Sequence, residues 1–569
     1  MEKKKEDKLT DLPEELSVEV LGLVKELQNN KERMEDFMLS EKYKKFSDWI
    51  IYQIYPRSFF DGNGDGVGDL KGVIEKVDHL KELGVNAVWL CPCYKSPNVD
   101  NGYDVSNYCD IMDEFGTIED WCEMRDALKE RGIKIIMDLV PNHTSNQHEW
   151  FIKSKRRHPD YDNFYYWVDE PKNNWQSCFG GSAWEYCPER RQYYLHSYSV
   201  EQPDLNFDNP KVREEIKKVI DFWVDLGVDG FRIDVIDQIS KDWINNRNCF
   251  GPNLHEYIHE LFGRKKTENI YTVGECWAKD IDEVVRHCAS ERKELSSLFQ
   301  FDHFSHGRSG RFTPAPFTLK EIAYDLSNWQ VITAEKNILY TLFTDNHDQP
   351  RFLSRFGNDK EFRYESATMF AGMFYLQRGI SFIYQGQEFG MTNSYHDRFE
   401  DFRDVENFDY YIRNPENLSE KELIDRINFG SRDNARRPLA WNGEKFGGFS
   451  IKEPWIPTYS RYKEINLEKD KASEKSVFEF YKKLLAFRKS NQAIIHGDYK
   501  EILLNEHCYV YERALGKEKY LIVCNFEKES EIFLPYDCGR VLLSNYQKSG
   551  KVSIGGTYCP YELAVYKVQ

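Results

Sequence analysis

The sequence predicts an α/β fold: a (β/α)8 TIM barrel with a small domain inserted after strand 3 and a carboxyl-terminal antiparallel β-sandwich. Two observations carry this prediction. From Trp49 onward, short β-rich apolar runs alternate with longer segments of helical period, as parallel strands with crossover helices require. Polar residues directly follow the apolar runs, and in a barrel these positions collect at the carboxyl ends of the strands. A doubly wound open sheet gives the same alternation, so the polar strand ends are what favours the barrel.

Eight apolar runs have the length and composition of barrel strands. They lie at 50–54, 87–90, 134–138, 230–234, 270–275, 298–301, 339–344 and 380–384. A helix, VFEFYKKLLAFRKS, comes after the last of them. Beyond it, alternating short strands such as YLIVCNF and YELAVYKV indicate the β-sandwich.

The regular alternation is interrupted twice. Between 144 and 208, Trp, Tyr, Asn and Gly replace it, which predicts an inserted domain beside the mouth of the active site. A second insertion, at about 392–470, follows strand 8. The predicted organisation is a helical amino-terminal extension (1–45), barrel segments (46–143 and 209–490) and the sandwich (491–569). Apolar residues recur at helical spacing in the extension: Leu16, Val20, Leu23, Val24 and Leu27.

Composition narrows the classes of partner. The chain has 569 residues, 40% of them hydrophobic, and a net charge of −18, which argues against nucleic acid or an anionic membrane and favours a small neutral ligand. The amino terminus has no apolar stretch of the kind found in signal peptides or membrane anchors. Thirteen scattered Cys indicate a reducing compartment, so we expect a cytoplasmic protein. The oligomeric state stays open.

Two strand ends carry the carboxyl pair that a retaining glycosidase needs, one as nucleophile and one as proton donor. Asp234 follows Arg232, whose charge would keep a neighbouring carboxylate ionised. Glu275 ends an apolar strand, where partial burial would raise its pKa and suit it to act as the acid. Taken alone, an acidic residue at a strand end is more often a helix cap or a solvated group. Their combination with His347 and Asp348, which supply a hydrogen-bonding group and a third anion, points to catalysis.

A metal site is predicted in the loop DGNGDGVGD. Its oxygen ligands alternate as in the first half of a calcium-binding loop, although Gly72 stands where the bidentate Glu would be. The ion would be structural Ca²⁺, and a Gly/Asp-rich turn without metal is the alternative. The predicted ligands are Asp61, Asn63, Asp65, Val67 and Asp69.

Seven motifs occur in order: WIIYQIYPRSFFDGNGDGVGDLKGV, DNGYDVSNY, DLVPNHTS, QPDLN, GFRIDV, TVGE and NHDQPR. With them the chain resembles the α-amylase superfamily, glycoside hydrolase family 13, over roughly residues 46–569. Within that family, QPDLN together with the DGNGDGVGD loop is similar to the oligo-1,6-glucosidase group. The resemblance implies the barrel, the inserted domain, the carboxyl-terminal β-domain and a bound calcium ion.

The resemblance also implies roles for single residues. Asp234 would be the nucleophile, Glu275 the general acid/base and Asp348 the stabiliser of the transition state. Val235, directly after the nucleophile, is similar to members that prefer α-1,6 bonds. Residues implied to contact the bound glucose are Asp104, His143, Arg232, His347 and Arg432.

The function expected on these grounds is a retaining, exo-acting α-glucosidase that cleaves short α-glucans, α-1,6 bonds favoured, through a covalent glucosyl-Asp234 intermediate. Trehalose-6-phosphate hydrolysis, sucrose cleavage and transglucosidation remain alternatives, because specificity in this family lies in loops. A non-catalytic binding protein, similar to the heavy chains of amino-acid transporters, is less favoured because the three carboxylates are all present.

Overall fold

A computed structural model describes residues 41–568 except 279, 415 and 537. Eight parallel strands form a barrel in the order β6-β5-β4-β3-β2-β1-β8-β7. A single parallel bridge between Ser297 and Leu339 joins the two ends of this order. The predicted TIM barrel is therefore confirmed. Its strands are β1 (Ile50–Ile54), β2 (Ala87–Leu90), β3 (Lys134–Leu139), β4 (Gly230–Ile233), β5 (Tyr271–Gly274), β6 (Ser297–Leu298), β7 (Thr341–Leu342) and β8 (Ile380–Tyr384).

Strands β6 and β7 are shorter than the apolar runs that predict them. Each has two residues, whereas the runs cover 298–301 and 339–344. The residues beyond the ladder fill the core with aromatic rings: Phe299 and Phe343 pack edge to face with centroids 5.1 Å apart. Buried side chains, not continued strand pairing, thus account for the apolar residues at this side of the barrel.

Several helices that cover the barrel begin at a side chain that caps their first backbone N–H groups. α6 begins after Asn209, whose side chain accepts from the Lys211 N–H, has Pro210 at its first position and ends at Gly227 with φ 93°. Its buried face includes Trp223, which packs on Trp121 at 5.0 Å. The helices up to strand β8 are α1 (Glu41–Phe46), α2 (Leu70–Glu75), α3 (Val77–Leu83), α4 (Ile118–Glu130), α5 (Glu149–Lys155), α6 (Pro210–Leu226), α7 (Leu254–Phe262), α8 (Ile281–Cys288), α9 (Leu319–Glu335), α10 (Phe352–Phe356) and α11 (Arg363–Tyr375).

Two segments project from the barrel. A three-stranded antiparallel sheet (Trp167–Val168, Trp184–Cys187 and Gln192–Leu195) lies between β3 and β4, with a small core of its own that includes Trp175 stacked on Trp243 at 4.9 Å. The segment after β8 is mainly helical. The remaining helices are α12 (Val405–Arg413), α13 (Glu420–Gly430), α14 (Asp433–Arg436), α15 (Leu467–Lys471), α16 (Val477–Ser490) and α17 (Gln492–Ile495).

The carboxyl-terminal region is antiparallel, as predicted. Its main sheet has the order β9-β10-β11-β14-β12-β13. A two-stranded sheet, Ser530–Ile532 with Gly556–Tyr558, packs on it through one shared apolar cluster. The main-sheet strands are β9 (Asp498–Leu504), β10 (Cys508–Leu515), β11 (Glu518–Asn525), β12 (Cys538–Ser544), β13 (Gly550–Ser553) and β14 (Leu563–Val568).

The predicted helix that carries Leu16 to Leu27 lies outside the described residues. Within residues 41–568 as described, none of the helices combines the length and apolarity of a membrane span. The domain boundaries drawn from the sequence remain predictions.

Candidate active site

A cavity of about 280 Å³ opens at the carboxyl ends of the barrel strands. Strand-end residues from β4, β5 and β7 meet there, together with side chains from the loop after β2, the inserted segment after β3 and the segment after β8. This is where parallel barrels place their active sites. The walls carry acidic, basic and aromatic groups, among them Asp100, His143, Phe179, Tyr198, Asp234, Glu275, Trp277, Asp348 and Arg432.

Arg232 on β4 holds two cavity carboxylates at once. Its Nη1 donates to Asp234 Oδ1 at 2.7 Å, and its Nη2 donates to Glu275 Oε2. The same Nη1 donates to Asp138 Oδ1, at 2.9 Å, behind the cavity. Because one planar guanidinium contacts both carboxylates, Asp234 and Glu275 lie side by side in the cavity wall.

Burial and two charged neighbours set the pKa of Asp234, the predicted nucleophile. Burial raises the pKa of Asp234 well above its ordinary value, the Arg232 guanidinium opposes that rise, and the charge of Glu275 adds to it. The raised pKa is the opposite of what the sequence predicts for Asp234, because burial outweighs the charge of Arg232. Two carboxyl groups in contact with one guanidinium are nevertheless the pair that a retaining glycosidase uses.

Asp348, the third predicted carboxylate, has the opposite surroundings. Its Oδ1 accepts from Arg436 Nη2 at 2.8 Å, and its Oδ2 lies 3.0 Å from His347 Nε2. Burial alone would raise its pKa, but the charges of His347, Arg436 and Arg432 outweigh burial and lower it. Since burial lowers the pKa of His347 to about 3, that ring is neutral at pH 7 and the arginines are the lasting cause. Asp348 is thus a permanent anion.

His347 is fixed between two barrel groups. The Gln53 side-chain amide donates to its Nδ1 at 2.8 Å, which leaves the ring proton on Nε2, facing Asp348. The Tyr103 hydroxyl lies 2.6 Å from the same Nε2. His143 lines the cavity from the end of β3, and burial lowers its pKa to about 4, so it too is a neutral hydrogen-bonding group.

Arg432 reaches the cavity from the segment after β8. It contacts Asp404 at 2.7 Å and lies 3.4 Å from both Asp100 and Asp348. Arg436, one turn further along α14, binds Asp348 together with Asp404. Sequence reasoning missed Arg436, although the spacing Arg-x-x-x-Arg places both guanidinium groups on one helix face.

The structure does not bring Asp104 to the cavity. Its buried carboxylate accepts hydrogen bonds from the Ser96 hydroxyl at 2.9 Å and from the backbone N–H groups of Val99 and Asp100, both at 3.0 Å. The side chain is therefore used to fold the loop. Asp100, four residues earlier in the same motif, lines the cavity and pairs with Arg432 instead. Asp100 is therefore the acidic side chain through which this loop meets the cavity.

The loop predicted to bind calcium does not line the cavity. The Asp61 carboxylate accepts from the Gly66 N–H at 2.8 Å and from the Ser450 hydroxyl at 2.6 Å, and Asp69 accepts from the Asn63 N–H at 3.0 Å. Burial raises the pKa of Asp69, and the charge of Asp61 adds to that rise.

The shape of this loop depends on Gly66, whose φ is +103° and whose Cα lies so close to Glu453 that a Cβ would meet the carbonyl oxygen at 2.3 Å. Asp65 is exposed and accepts from the Val67 N–H at 2.8 Å. The potential ligands are all oxygen atoms, and a cation would offset the repulsion between the buried carboxylates. The residues present therefore fit a hard divalent cation.

Asp234 and Glu275 share one guanidinium, and the ionised Asp348 and several aromatic side chains lie in the same cavity. Cleavage of a glycosidic bond uses such a set of groups. Fold and site together define a glycoside hydrolase.

Comparisons with known proteins agree with this class. The alpha amylase catalytic domain matches residues 53–497. Oligo-1,6-glucosidase from Parageobacillus thermoglucosidasius is 42% identical over 553 residues, which are 91% of this chain and 98% of that protein. Trehalose-6-phosphate hydrolase from Escherichia coli (strain K12) is 40% identical over 546 residues, 91% and 98% of the two chains.

Solved structures agree as well. The crystal structure of Bacillus licheniformis trehalose-6-phosphate hydrolase is 40% identical with a TM-score of 0.86, covering 92% of this chain and 99% of that one. The isomaltulose synthase from Protaminobacter rubrum is 36% identical with a TM-score of 0.88 over the same shares. The chain belongs to the α-amylase family, glycoside hydrolase family 13, and is an α-glucosidase of that family. The resemblance seen in the sequence is confirmed.

Proposed function

We propose that this α-glucosidase is retaining and exo-acting and removes the terminal glucose from short α-glucans, with α-1,6 bonds favoured. The observation that carries the proposal is the contact of one guanidinium, Arg232, with both Asp234 and Glu275 at the cavity wall. That contact places a nucleophile and a proton donor on the same bound sugar. Asp100 and Arg432, 3.4 Å apart, close another part of the wall, which supports a blind cavity for a terminal residue.

The chemistry proceeds in two displacements. Asp234 attacks the anomeric carbon while Glu275 gives its proton to the glycosidic oxygen, so the carbon–oxygen bond breaks and the aglycone leaves as an alcohol. Water then attacks the anomeric carbon of the glucosyl-Asp234 ester and passes a proton to Glu275. The ester bond breaks, Asp234 returns as a carboxylate, and α-glucose is released. Asp348 stays ionised throughout and stabilises the cationic transition states.

The linkage preference is supported by Val235. This residue lines the cavity directly after the nucleophile, and its backbone has φ 35° and ψ 50°, a conformation that β-branched residues rarely adopt. Its branched side chain lines the cavity next to the nucleophile, where it can limit the shape of the substrate. The oligo-1,6-glucosidases among the relatives support the α-1,6 assignment.

A second candidate, hydrolysis of trehalose-6-phosphate, is favoured by one observation at the cavity. Arg311 lines the wall, and Arg308 next to it donates to Gln349, another wall residue, at 3.1 Å. Burial lowers the pKa of Arg308 to about 10, and the charge of Arg311 adds to the effect. Arg311 is paired with Glu406 at 2.9 Å, and a bound phosphate would add a partner for Arg308, whereas a neutral glucan would not.

A substrate panel tests the proposal. We expect the highest kcat/KM for isomaltose among isomaltose, maltose, sucrose, trehalose-6-phosphate and starch, and α-glucose as the first product by proton NMR. A preference for trehalose-6-phosphate would favour the second candidate. Release of β-glucose would overturn the double displacement, and rapid starch cleavage would overturn the blind cavity.

Three further assignments belong to the proposal. Calcium would be held by Asp61, Asn63, Asp65, Val67 and Asp69. A cytoplasmic location is supported by the thirteen cysteines scattered through the sequence, which do not form the pattern of a disulfide framework. The acidic net charge supports a small-molecule partner and neither nucleic acid nor membrane.

Removal of calcium tests the metal assignment. Because the ion would be structural, we expect a chelator to lower the Tm by about 2 °C or more, calcium to restore it, and Asp61→Asn to abolish that restoration. The catalytic rate per folded molecule should not change. A Tm that is indifferent to chelator and calcium would leave the loop as a metal-free turn.

A further inference from the structure

A second cluster of ligand-type side chains lies on two helices of the barrel's outer layer. Glu283 and His287 are one turn apart on α8, and His255 faces them from α7. One potential ligand atom from each of the three lies within 4.8 Å of the others. His255 Nε2 is 3.3 Å from Glu283 Oε1, which is about the distance between two ligands of one tetrahedral ion. None of these residues lines the catalytic cavity.

Both imidazoles are already oriented through their Nδ1 atoms. His255 Nδ1 donates to Glu294 Oε2 at 2.8 Å, and His287 Nδ1 donates to the backbone carbonyl of Glu283 at 2.9 Å. Histidines that bind metals characteristically donate one ring N–H to a carboxylate or a carbonyl, which leaves the other nitrogen free for the ion. His287 Nε2 is left without a hydrogen-bond partner, and His255 Nε2 faces the Glu283 carboxylate at 3.3 Å.

The free nitrogen of His287 is the observation that an ion-pair network does not explain. Its side chain is fully buried, and its Nε2 has no hydrogen-bond partner. If His255 were simply a cation paired with Glu283 and Glu294, that ion-pair network would explain these three residues. It would still leave the buried Nε2 atom of His287 without a partner. Buried polar atoms are normally satisfied, and an unsatisfied one calls for an ion or another ligand.

We propose that His255, Glu283 and His287 bind a divalent transition-metal ion of the Zn²⁺ class. Two imidazole nitrogens and one carboxylate oxygen are ligands of borderline softness, which suit Zn²⁺, Co²⁺ or Ni²⁺ and not Ca²⁺. The side chains of His255 and Glu283 are 19% and 17% exposed, so water can reach the fourth position. Glu294 supports His255 from behind and is itself held by Arg292 at 2.6 Å.

The site joins two helices that follow functionally important strands. α7 comes after β4, which leads to Asp234, and α8 comes after β5, which leads to Glu275. A metal ion there would cross-link these helices from outside the catalytic cavity. Its effect would be on stability, because it touches neither the substrate nor the reacting groups.

The test uses the purified full-length protein, freed of transition metal and kept in calcium throughout. We expect one Zn²⁺ per chain by isothermal titration calorimetry and a Tm rise of about 2 °C at a hundredfold excess over Kd. His255→Gln and Glu283→Gln should each abolish that rise. Since His255 is partly exposed, its variant should fold, and the metal-dependent shift is read against the variant's own metal-free Tm.

His158→Gln is the matched control, because this exposed histidine also lies beside a carboxylate, Asp160, 4.0 Å away. It should leave the Zn²⁺ response unchanged. Co²⁺ in place of Zn²⁺ should give the visible bands of a four-coordinate site with nitrogen and oxygen ligands. A Tm shift that survives both site variants, a thiolate charge-transfer band, or no uptake at all would each overturn the proposal. None of these readouts depends on glucosidase activity.

Discussion

Two halves of one cavity hold carboxylates with opposite electrostatics. On the β4–β5 side, burial and a neighbouring carboxyl group raise the pKa of Asp234 in spite of Arg232. On the β7 side, Arg432 and Arg436 lower the pKa of Asp348 in spite of burial. The guanidinium groups around each carboxylate account for the difference: Asp234 has one, Arg232, which also binds Glu275 and Asp138, whereas Asp348 has two, Arg432 and Arg436, which also bind Asp404. Glu275, which gives and takes a proton in the proposed mechanism, is thereby separated from Asp348, which stays ionised.

The largest expected effect tests whether Asp234 and Asp348, on the two sides of the cavity, have different catalytic roles. Asp234→Gly should lower kcat by ~10⁴-fold or more, since no covalent intermediate can form. Azide, a small external nucleophile, should restore turnover of an activated aryl α-glucoside and give the β-glucosyl azide. Asp348→Gly should also be severely impaired but without azide rescue, because it removes charge stabilisation only. Rescue of both variants, or of neither, would contradict the division of roles.

A smaller effect should separate two acids of one loop. Asp100→Asn removes a cavity group paired with Arg432, and we expect kcat/KM to fall by about 10–100-fold with little change in Tm. Asp104→Asn removes an acceptor of three loop hydrogen bonds, so its main effect should be a lower Tm. Thermal melts and kinetics of both variants check this. A catalytic loss in Asp104→Asn without any loss of stability would restore the sequence-based assignment.

The smallest effect concerns pH. The reaction needs Asp234 ionised, so kcat/KM should rise with pH through its pKa, and the raised pKa places this acid limb above the ordinary carboxylate range of about 4. Glu275→Gln removes the negative charge that adds to the rise, and the limb should move to lower pH. An aryl glucoside that needs no proton donor makes the variant measurable.

Glu256→Gln, at an exposed position on α7, is the control for the pH profile. Its acid limb should coincide with that of the wild type. If the limb in Glu275→Gln also stayed in place, the charge of Glu275 would not be a cause of the raised pKa of Asp234.

Much of this arrangement could be predicted from sequence because it is local. The bounds of β1, β2 and β8 agree with their apolar runs, and Asp234 and Glu275 lie where the strands end. Periodicity could not choose between Asp100 and Asp104, since both stand in one irregular loop. It also could not reveal that Arg436 contacts Asp348, because 88 residues separate them and only the folded chain brings them together.

The short strand β7 has a consequence for how the active site is assembled. Its ladder contains two residues, and Asp348 comes six residues later, too far for strand pairing to fix its carboxylate. Arg432, directly before α14, and Arg436, at its end, do so instead. Exchanging the segment after β8 between relatives would therefore change the ionisation and the orientation of Asp348, which lies outside that segment. Catalysis could thus be tuned without altering the barrel.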